Sequence, residues 1–119
     1  MSTEELQRVY DQYIMNTYTR FPISIARGRG ARVYDLEGRE YLDCVAGIAV
    51  NILGHGHPEL VTAIQKQAQQ LLHTSNLYYT EPQAKLAQKL ATHSFADKTF
   101  FCNSGAEANE AAIMLARRY

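Results

Sequence analysis

The residues best placed for chemistry lie near the end of the sequence, in the block Asn103–Glu110, which reads NSGAEANE. Ser104 is a good N-cap and Glu107 stands three residues later, which is the pattern of a capping box at the start of a helix. The first amides of a helix lack intrahelical acceptors, and the helix dipole adds partial positive charge there. Gly105 has no Cβ to keep an anion away from the backbone. We therefore predict a phosphate site on the amides of Gly105 and Ala106, with the Ser104 hydroxyl as a candidate third donor.

The phosphate block has one alternative interpretation, and two other motifs in the chain could suggest a binding site. Because capping boxes are common, the same block also fits an ordinary capped helix that follows a strand and binds nothing. His55 and His57 stand two residues apart, but no third ligand accompanies them at a helpful spacing, and we predict no metal site. The stretch Arg27–Arg32 lacks the third glycine and the helix of a dinucleotide fingerprint, so it favours a hairpin turn.

The predicted phosphate corner needs a strand before it and a helix after it. Thr99–Cys102 is a short apolar or β-favouring run, typical of a strand covered on both faces. From Ala106 the chain is rich in helix formers, and small residues recur on one side of that helix. We expect this side to pack closely on a flat surface such as a sheet. Its residues are Ala108, Ala111, Ala112, Leu115 and Ala116.

Capping, turn and periodicity signals predict the elements upstream. A capping box at Ser2 and Glu5 predicts a helix that runs to about Thr17. Two further helices are expected to begin near Pro58 and at a capping box in Thr80–Gln83, each with an apolar face. The remaining predicted elements are strands at Ile23–Ala26, Ala31–Asp35 and Arg39–Asp43, joined by hairpins, and a buried apolar loop, Cys44–Gly54, of a kind that tends to line sites.

Composition limits the classes of protein to which the chain can belong. The sequence has 119 residues with 12 basic and 12 acidic side chains, and this neutral balance argues against nucleic-acid and membrane-surface partners. No run approaches the roughly 18 apolar residues of a membrane span, and the polar, acidic N-terminus does not resemble a targeting peptide. The two cysteines form no disulfide framework, so we expect a reducing cytoplasm. The chain ends within a predicted helix without a stop signal, and we expect it to be a fragment of a longer protein.

Three blocks of the sequence resemble the class III (fold type I) pyridoxal-phosphate aminotransferases. The blocks are YLDCVAGIAVNILGHGHPEL, SNLYYTEPQAKLAQKL and FFCNSGAEANEAAIMLARRY, and the resemblance runs from about Met15 to the C-terminus. It implies an α/β fold in which residues 1–54 contribute to the small domain and the substrate entrance. Residues 55–119 would then begin the large cofactor-binding domain, whose sheet is mostly parallel.

The resemblance also implies a cofactor and an activity. The cofactor is pyridoxal 5'-phosphate, with its phosphate held at the corner formed by Ser104, Gly105 and Ala106. Within the family, the resemblance is to members that transfer the amino group of N-acetyl-L-ornithine to 2-oxoglutarate, a step of arginine biosynthesis. Ornithine, succinylornithine and 4-aminobutyrate remain alternative amino donors. A homodimer is implied as well, with the loop Ser75–Thr80 near the subunit interface.

Some family features are absent from this sequence. The lysine that forms the Schiff base, the aspartate at the pyridine nitrogen and the arginine for the substrate carboxylate all lie later in the family chain. None of the four lysines present (Lys66, Lys85, Lys89 and Lys98) suits the first role, so we place no catalytic residue in this chain and predict that it is inactive alone. Thr19 and Met114 also depart from the family pattern, at positions expected to tolerate change. The alternative from another class is a non-enzymatic phosphate-binding or interaction module.

Overall fold

The computed structural model describes the whole chain, Met1–Tyr119, and has two compact units, Met1–Leu72 and His73–Tyr119. No helix in it has the length and apolar character needed to cross a membrane. The first unit contains helix α1 (Thr3–Tyr13), strands β1 (Ile25–Arg29), β2 (Arg32–Asp35) and β3 (Glu40–Leu42), the single turn α2 (Ala46–Ala49) and helix α3 (Pro58–Gln70). The second unit contains helices α4 (Glu81–Thr92) and α5 (Gly105–Arg118).

The predicted capping box of α1 is confirmed. The Ser2 hydroxyl accepts the Glu5 N–H at 3.2 Å, and a Glu5 carboxylate oxygen accepts the Ser2 N–H at 2.9 Å. The helix ends at Tyr13, earlier than the predicted end near Thr17, because the β-branched Ile14 takes an extended conformation. The carboxylate of Glu37 accepts both the N–H and the hydroxyl of Thr3, at 3.1 and 3.0 Å, and so joins the start of α1 to the β2–β3 turn.

The three strands form one antiparallel sheet in the order β1-β2-β3, so both predicted hairpins are confirmed. Gly30 and Gly38 occupy the turns with φ of +58° and +85°, conformations that residues with a side chain rarely adopt. Strand β1 begins at Ile25, two residues later than predicted, and continues through Gly28 to Arg29. The resulting hairpin of β1 and β2 positions the loop that follows β3.

The most buried side chain of the sheet is a carboxylate. Asp35 is 3% exposed and Val33 is 9% exposed. Asp35 accepts hydrogen bonds from the Tyr41 hydroxyl at 2.8 Å and from the backbone and side chain of Arg39 at 2.8 and 2.6 Å. Burial raises the pKa of Asp35, but the bonds from Tyr41 and Arg39 outweigh it, so the pKa lies below its ordinary value. The sheet therefore packs around an ionised, fully bonded group.

Helix α4 starts where it was predicted to start, but the predicted capping box does not form. The helix begins at Glu81 with Pro82 in the first turn. Thr80 is the N-cap residue, yet its side chain makes no capping hydrogen bond. One of the two amides that an N-cap hydroxyl can reach is here the proline nitrogen, which carries no hydrogen.

The predicted buried strand at Thr99–Cys102 is wrong for this chain. The segment is not assigned to any strand, Cys102 is exposed, and Phe100 is 71% exposed. A strand forms only where a neighbour accepts and donates its backbone hydrogen bonds, and the second unit holds no other strand. The single sheet of the chain is antiparallel, so no part of the parallel sheet implied by the resemblance is paired here.

The apolar faces of the later helices are present but largely uncovered. On α5 only Ala111 is half-buried, and the rest of the predicted small-residue face is exposed, Leu115 by 70%. The predicted buried stripe of α4 is likewise half-exposed at Leu86 and Leu90, at 50% and 43%. The helical periodicity was therefore predicted correctly, whereas the burial of these faces was not.

Candidate functional site

The predicted phosphate corner forms at the start of α5. Ser104 is its N-cap, in an extended conformation, and its hydroxyl accepts the Glu107 N–H at 3.2 Å. A Glu107 carboxylate oxygen accepts the Asn103 N–H at 2.8 Å and the Ser104 hydroxyl at 3.1 Å. The reciprocal backbone bond of the predicted box thus goes to Asn103, one residue before the N-cap. Because the Ser104 hydroxyl already donates to Glu107, it is engaged within the chain and is the weakest of the three predicted phosphate donors.

The two backbone donors predicted for phosphate are free. The N–H groups of Gly105 and Ala106 have no acceptor in the chain, and the first backbone acceptor bond of the helix runs from Ala108 N–H to the Ser104 carbonyl at 3.1 Å. A Cβ placed on Gly105 would meet no atom within 4 Å, so the corner is open. Two adjacent unpaired amides at the N-terminus of a 14-residue helix suit an anion with several acceptor oxygens, and the residues therefore fit a phosphate group.

Glu107 is the acidic residue of this corner. Hydrogen bonds from the Ser104 side chain and from Asn103 hold the pKa of Glu107 below its ordinary value, so the carboxylate is charged at neutral pH. Its charge complements the positive end of the helix dipole but repels a phosphate. The corner is exposed to water, where such repulsion is screened.

A second unusual feature lies in the predicted loop Cys44–Gly54. The turn Ala46–Ala49 is wound left-handed, with φ of 48°, 62°, 60° and 61° at its successive residues. The Val45 carbonyl accepts the Ala49 N–H, and the Ala46 carbonyl accepts the Val50 N–H, each at 3.0 Å. Left-handed winding costs roughly 1–2 kcal/mol for each residue that carries a Cβ. Three of the four residues do, so the surrounding structure must hold the turn.

The prediction that this loop is buried is wrong. The loop is irregular, as expected, but Ile48 is 86% exposed and Val50 is 80% exposed. The left-handed winding places these branched side chains outside the fold of the first unit. They are therefore available for contact with a ligand or another part of a protein.

Three polar residues surround the turn, and the sequence did not reveal them as a group. His55 Nε2 lies 2.7 Å from an Asp43 carboxylate oxygen, and Asn51 Nδ2 lies 3.1 Å from His55 Nδ1. The hydrogen bond to His55, together with the amides of Ala46 and Val45, holds the pKa of Asp43 below its ordinary value. His55, considered above as a metal ligand, thus has both ring nitrogens engaged. No sequence pattern joined Asn51 to His55, which follows the predicted loop Cys44–Gly54, and none pointed to Asp43.

The second unit contains an open groove of about 460 Å³ beside the first turns of α4. It is lined by the loop 76–80, by one face of α4 and by the extended segment Thr99–Phe101. Ser75, just before this loop, is left-handed with φ of 64°, and Tyr79 within the loop is fully exposed. The groove combines aromatic rings with short polar side chains.

Comparisons with known proteins agree on one family. The family model described as Aminotransferase class-III matches residues 13–119. A curated acetylornithine aminotransferase of Synechocystis sp. is 61% identical over 110 residues, which cover 92% of this chain and 26% of that protein. The acetylornithine aminotransferase of Methanothermobacter thermautotrophicus is 53% identical over all 119 residues, which cover 30% of its length.

Solved structures give the same result. An acetylornithine aminotransferase from Elizabethkingia anophelis matches 98% of this chain, at 33% identity, with a TM-score of 0.94, and the match covers 30% of that chain. An ornithine aminotransferase from Toxoplasma gondii, whose description reports pyridoxal phosphate at its active site, matches 98% of this chain at 33% identity with a TM-score of 0.93, over 27% of its length. The chain thus spans less than a third of each of these proteins.

Proposed function

Because this chain belongs to the class-III aminotransferases, we propose that it forms part of an enzyme that transfers the amino group of N-acetyl-L-ornithine to 2-oxoglutarate. The products would be N-acetyl-L-glutamate 5-semialdehyde and L-glutamate, in arginine biosynthesis. The family and the pyridoxal-phosphate fold type I architecture are established by the matches to sequence and structure. The choice of amino donor is supported by curated relatives that are 53–61% identical and named acetylornithine aminotransferase.

The observation that carries the proposal is the pair of free amides at Gly105 and Ala106. They lie inside the segment that matches the family, and they fit the phosphate of pyridoxal 5'-phosphate. When bound, the cofactor supplies the electron-withdrawing ring on which amino-group chemistry depends. The residues of this chain bind and orient its phosphate end. Ser104 and Glu107 fix the shape of the corner by bonding to each other, and so keep the two amides aimed outwards.

We place no catalytic residue in this chain. All four lysines are exposed, and Lys85 forms an ion pair with Glu81 on the surface of α4. The lysine that bonds the cofactor would therefore come from sequence that corresponds to later parts of the relatives. Residues 1–54 would contribute to the small domain and residues 55–119 to the cofactor domain. We further propose a cytoplasmic homodimer, with the loop 75–80 near the subunit interface.

The test uses the protein encoded by the complete reading frame that contains this chain. Purified with pyridoxal phosphate, it should form glutamate from N-acetylornithine and 2-oxoglutarate. We expect the largest kcat/KM with N-acetylornithine, compared with ornithine, succinylornithine and 4-aminobutyrate at equal enzyme concentration. Preference for ornithine would favour the second candidate, which the match to ornithine aminotransferases at a TM-score of 0.93 supports. Phosphate-dependent binding without turnover of any donor would favour the non-enzymatic module and overturn the proposal.

A further inference from the structure

One face of the three-stranded sheet carries three arginines. In the register of β1 with β2, Arg29 lies directly opposite Arg32. Arg27 lies opposite Tyr34, two residues further along each strand. Side chains that are paired across strands, or that stand two apart on one strand, lie on the same face of a sheet. Arg27, Arg29 and Arg32 therefore share one face, which we call the arginine face, and all three are exposed to solvent.

The carboxylate on the arginine face is already bonded within the chain. Glu40 lies opposite Tyr34 on β3. One oxygen of Glu40 pairs with Arg32, and the other accepts the Tyr34 hydroxyl at 2.8 Å. Neither Arg27 nor Arg29 forms an ion pair with any acidic side chain of the chain. The arginine face therefore presents two guanidinium charges that the chain itself does not neutralise.

The position of Arg29 is unfavourable for the sheet. Like charges directly opposite each other on neighbouring strands destabilise a sheet, and Arg29 faces Arg32 in this way beside the turn at Gly30. A local conflict of this kind is expected where a residue serves binding rather than folding. The charge of Arg29 therefore has no stabilising partner within the sheet.

Arg27 is held in place for binding. Its guanidinium carbon lies 3.7 Å from the centre of the Tyr34 ring, which is a cation–π contact. The ring is fixed in turn, because the Tyr34 hydroxyl donates to Glu40. A guanidinium that stacks on a ring keeps the N–H groups at its edge free for hydrogen bonds. Since the side chain is already ordered, binding through it loses less conformational freedom.

We propose that the arginine face is a docking surface for an extended, acidic segment of another protein. Clusters of arginines recognise acidic segments because guanidinium and carboxylate groups form paired, charge-assisted hydrogen bonds. Residues two apart on a strand are separated by about 6.6–6.8 Å, so Arg27 and Arg29 match the alternate side chains of an extended acidic chain. A single small anion would instead need donors that converge on one point of a concave site.

The overall charge of the chain favours an acidic polypeptide over a nucleic acid. Proteins that bind nucleic acids carry a broad basic surface that contacts many phosphates. Here the basic and acidic residues are equal in number, at 12 each, and the unpaired positive charge of the sheet is confined to the arginine face. A short run of carboxylates matches a surface of this size.

The experiment measures the binding of a fluorescein-labelled oligoglutamate peptide to the pyridoxal-phosphate-loaded protein from the complete reading frame, by fluorescence anisotropy at low salt. Arg29→Glu should weaken binding by about tenfold, which corresponds to about 1.4 kcal/mol. Arg27→Gln should weaken it by about threefold. Lys66→Glu is the matched control, because it changes the net charge by the same amount as Arg29→Glu at an exposed position of α3 in the same unit. It should alter the affinity by less than about twofold.

Two further measurements separate binding from folding. Arg29→Glu places a carboxylate opposite Arg32, so the urea midpoint of unfolding should rise or stay the same while peptide affinity falls. The affinity of the unaltered protein should fall steeply when salt is raised from about 0.01 M to about 1 M, because the screening length shortens from about 30 Å to about 3 Å.

Several results would overturn the proposal. No binding of oligoglutamate at low salt would show that the face does not recognise carboxylates, and an equal loss in Lys66→Glu would show that net charge alone is responsible. A lower urea midpoint in Arg29→Glu would assign that arginine to the fold.

Other occupants of the face would also be recognised. Displacement of the peptide by equimolar inorganic phosphate would indicate a small-anion site, and tighter binding of single-stranded RNA would indicate a nucleic acid. Self-association that Arg29→Glu abolishes in sedimentation would indicate a second copy of the chain. A raised KM for 2-oxoglutarate in Arg29→Glu, with peptide binding unchanged, would assign the charge to the substrate.

Discussion

Replacing Gly105 with valine should block the cofactor phosphate while leaving the fold intact. The Cβ of residue 105 would point into open space, with no protein atom within 4 Å, so nothing in the chain opposes the larger side chain. Gly105 has no positive φ, and valine can therefore adopt its backbone conformation. The added methyl groups would instead occupy the space through which an anion reaches the amides of residues 105 and 106.

The expected magnitude follows from the two donors at stake. A hydrogen bond to a charged group contributes roughly 1.5–3 kcal/mol, so loss of both would weaken binding by about 3–6 kcal/mol. Since each 1.4 kcal/mol is tenfold, the dissociation constant of pyridoxal phosphate should rise by about two to four decades. A water molecule that still reaches one amide would reduce the effect towards the lower limit.

The assay is equilibrium titration of the apoprotein from the complete reading frame, followed by cofactor absorbance or fluorescence. Met114→Val is the matched control, because it places the same side chain on an exposed position of α5 that lies outside its small-residue face and away from the free amides. Ala106→Ser keeps the amide and adds only a hydroxyl, so we expect a change of about tenfold or less. Wild-type affinity in Gly105→Val, with the control also unchanged, would refute the phosphate site at this corner.

Three further results are expected. Gly28→Ala should lower the free energy of unfolding, measured by denaturant titration, by about 1–3 kcal/mol, since its Cβ would lie 2.5 Å from His55 Cγ. The control Gly30→Asn should lose less, because that site is open and asparagine tolerates its φ of +58°. Because the pKa of Glu107 is lowered in the fold, its ionised carboxylate stabilises the fold at pH values above the unfolded pKa near 4.5, and this contribution is lost as pH falls through the folded pKa. The difference in the free energy of unfolding between wild type and Glu107→Gln should therefore shrink in acid, and a difference that does not vary with pH would contradict the assignment. Cofactor affinity should be equal or slightly higher in the variant. The 119-residue chain alone should self-associate through its exposed apolar faces and form no specific adduct with pyridoxal phosphate; a monomer with a sharp melt, or an absorbance band abolished by replacing a single lysine, would show otherwise.

The elements that were predictable from the sequence are those with local causes. Ser2 and Glu5 cap α1 as predicted, Gly38 turns the second hairpin, and Pro58 begins α3. Each of these residues determines the backbone conformation only of residues close to it in the sequence. The same is true of the phosphate corner, where the N-cap Ser104 and the free amides after it follow from helix geometry alone.

The elements that the sequence did not predict depend on distant partners or on strain. Thr99–Cys102 has the composition of a strand but no neighbour with which to pair. The bond between Glu107 and Asn103 depends on how the chain enters the helix, which no spacing rule specifies. The left-handed turn contains Ile48, a β-branched residue that disfavours positive φ, so local propensity argues against the observed conformation. The contact between Asp43 and His55 that flanks this turn joins residues twelve apart, which local sequence rules do not reveal.

The phosphate donors that we propose for this chain are main-chain N–H groups, and this affects how the site can change in evolution. No substitution except proline removes an amide, so most replacements at residue 106 leave the donor in place. Anion binding at the corner should therefore depend little on which side chains are present. It should depend on the size of the side chain at residue 105 and on the backbone path by which the chain enters α5. Related sequences with other residues at these positions can keep the same anion site, provided that the backbone path through residues 103–107 is preserved. A comparison of residue types alone would undercount the proteins that share it.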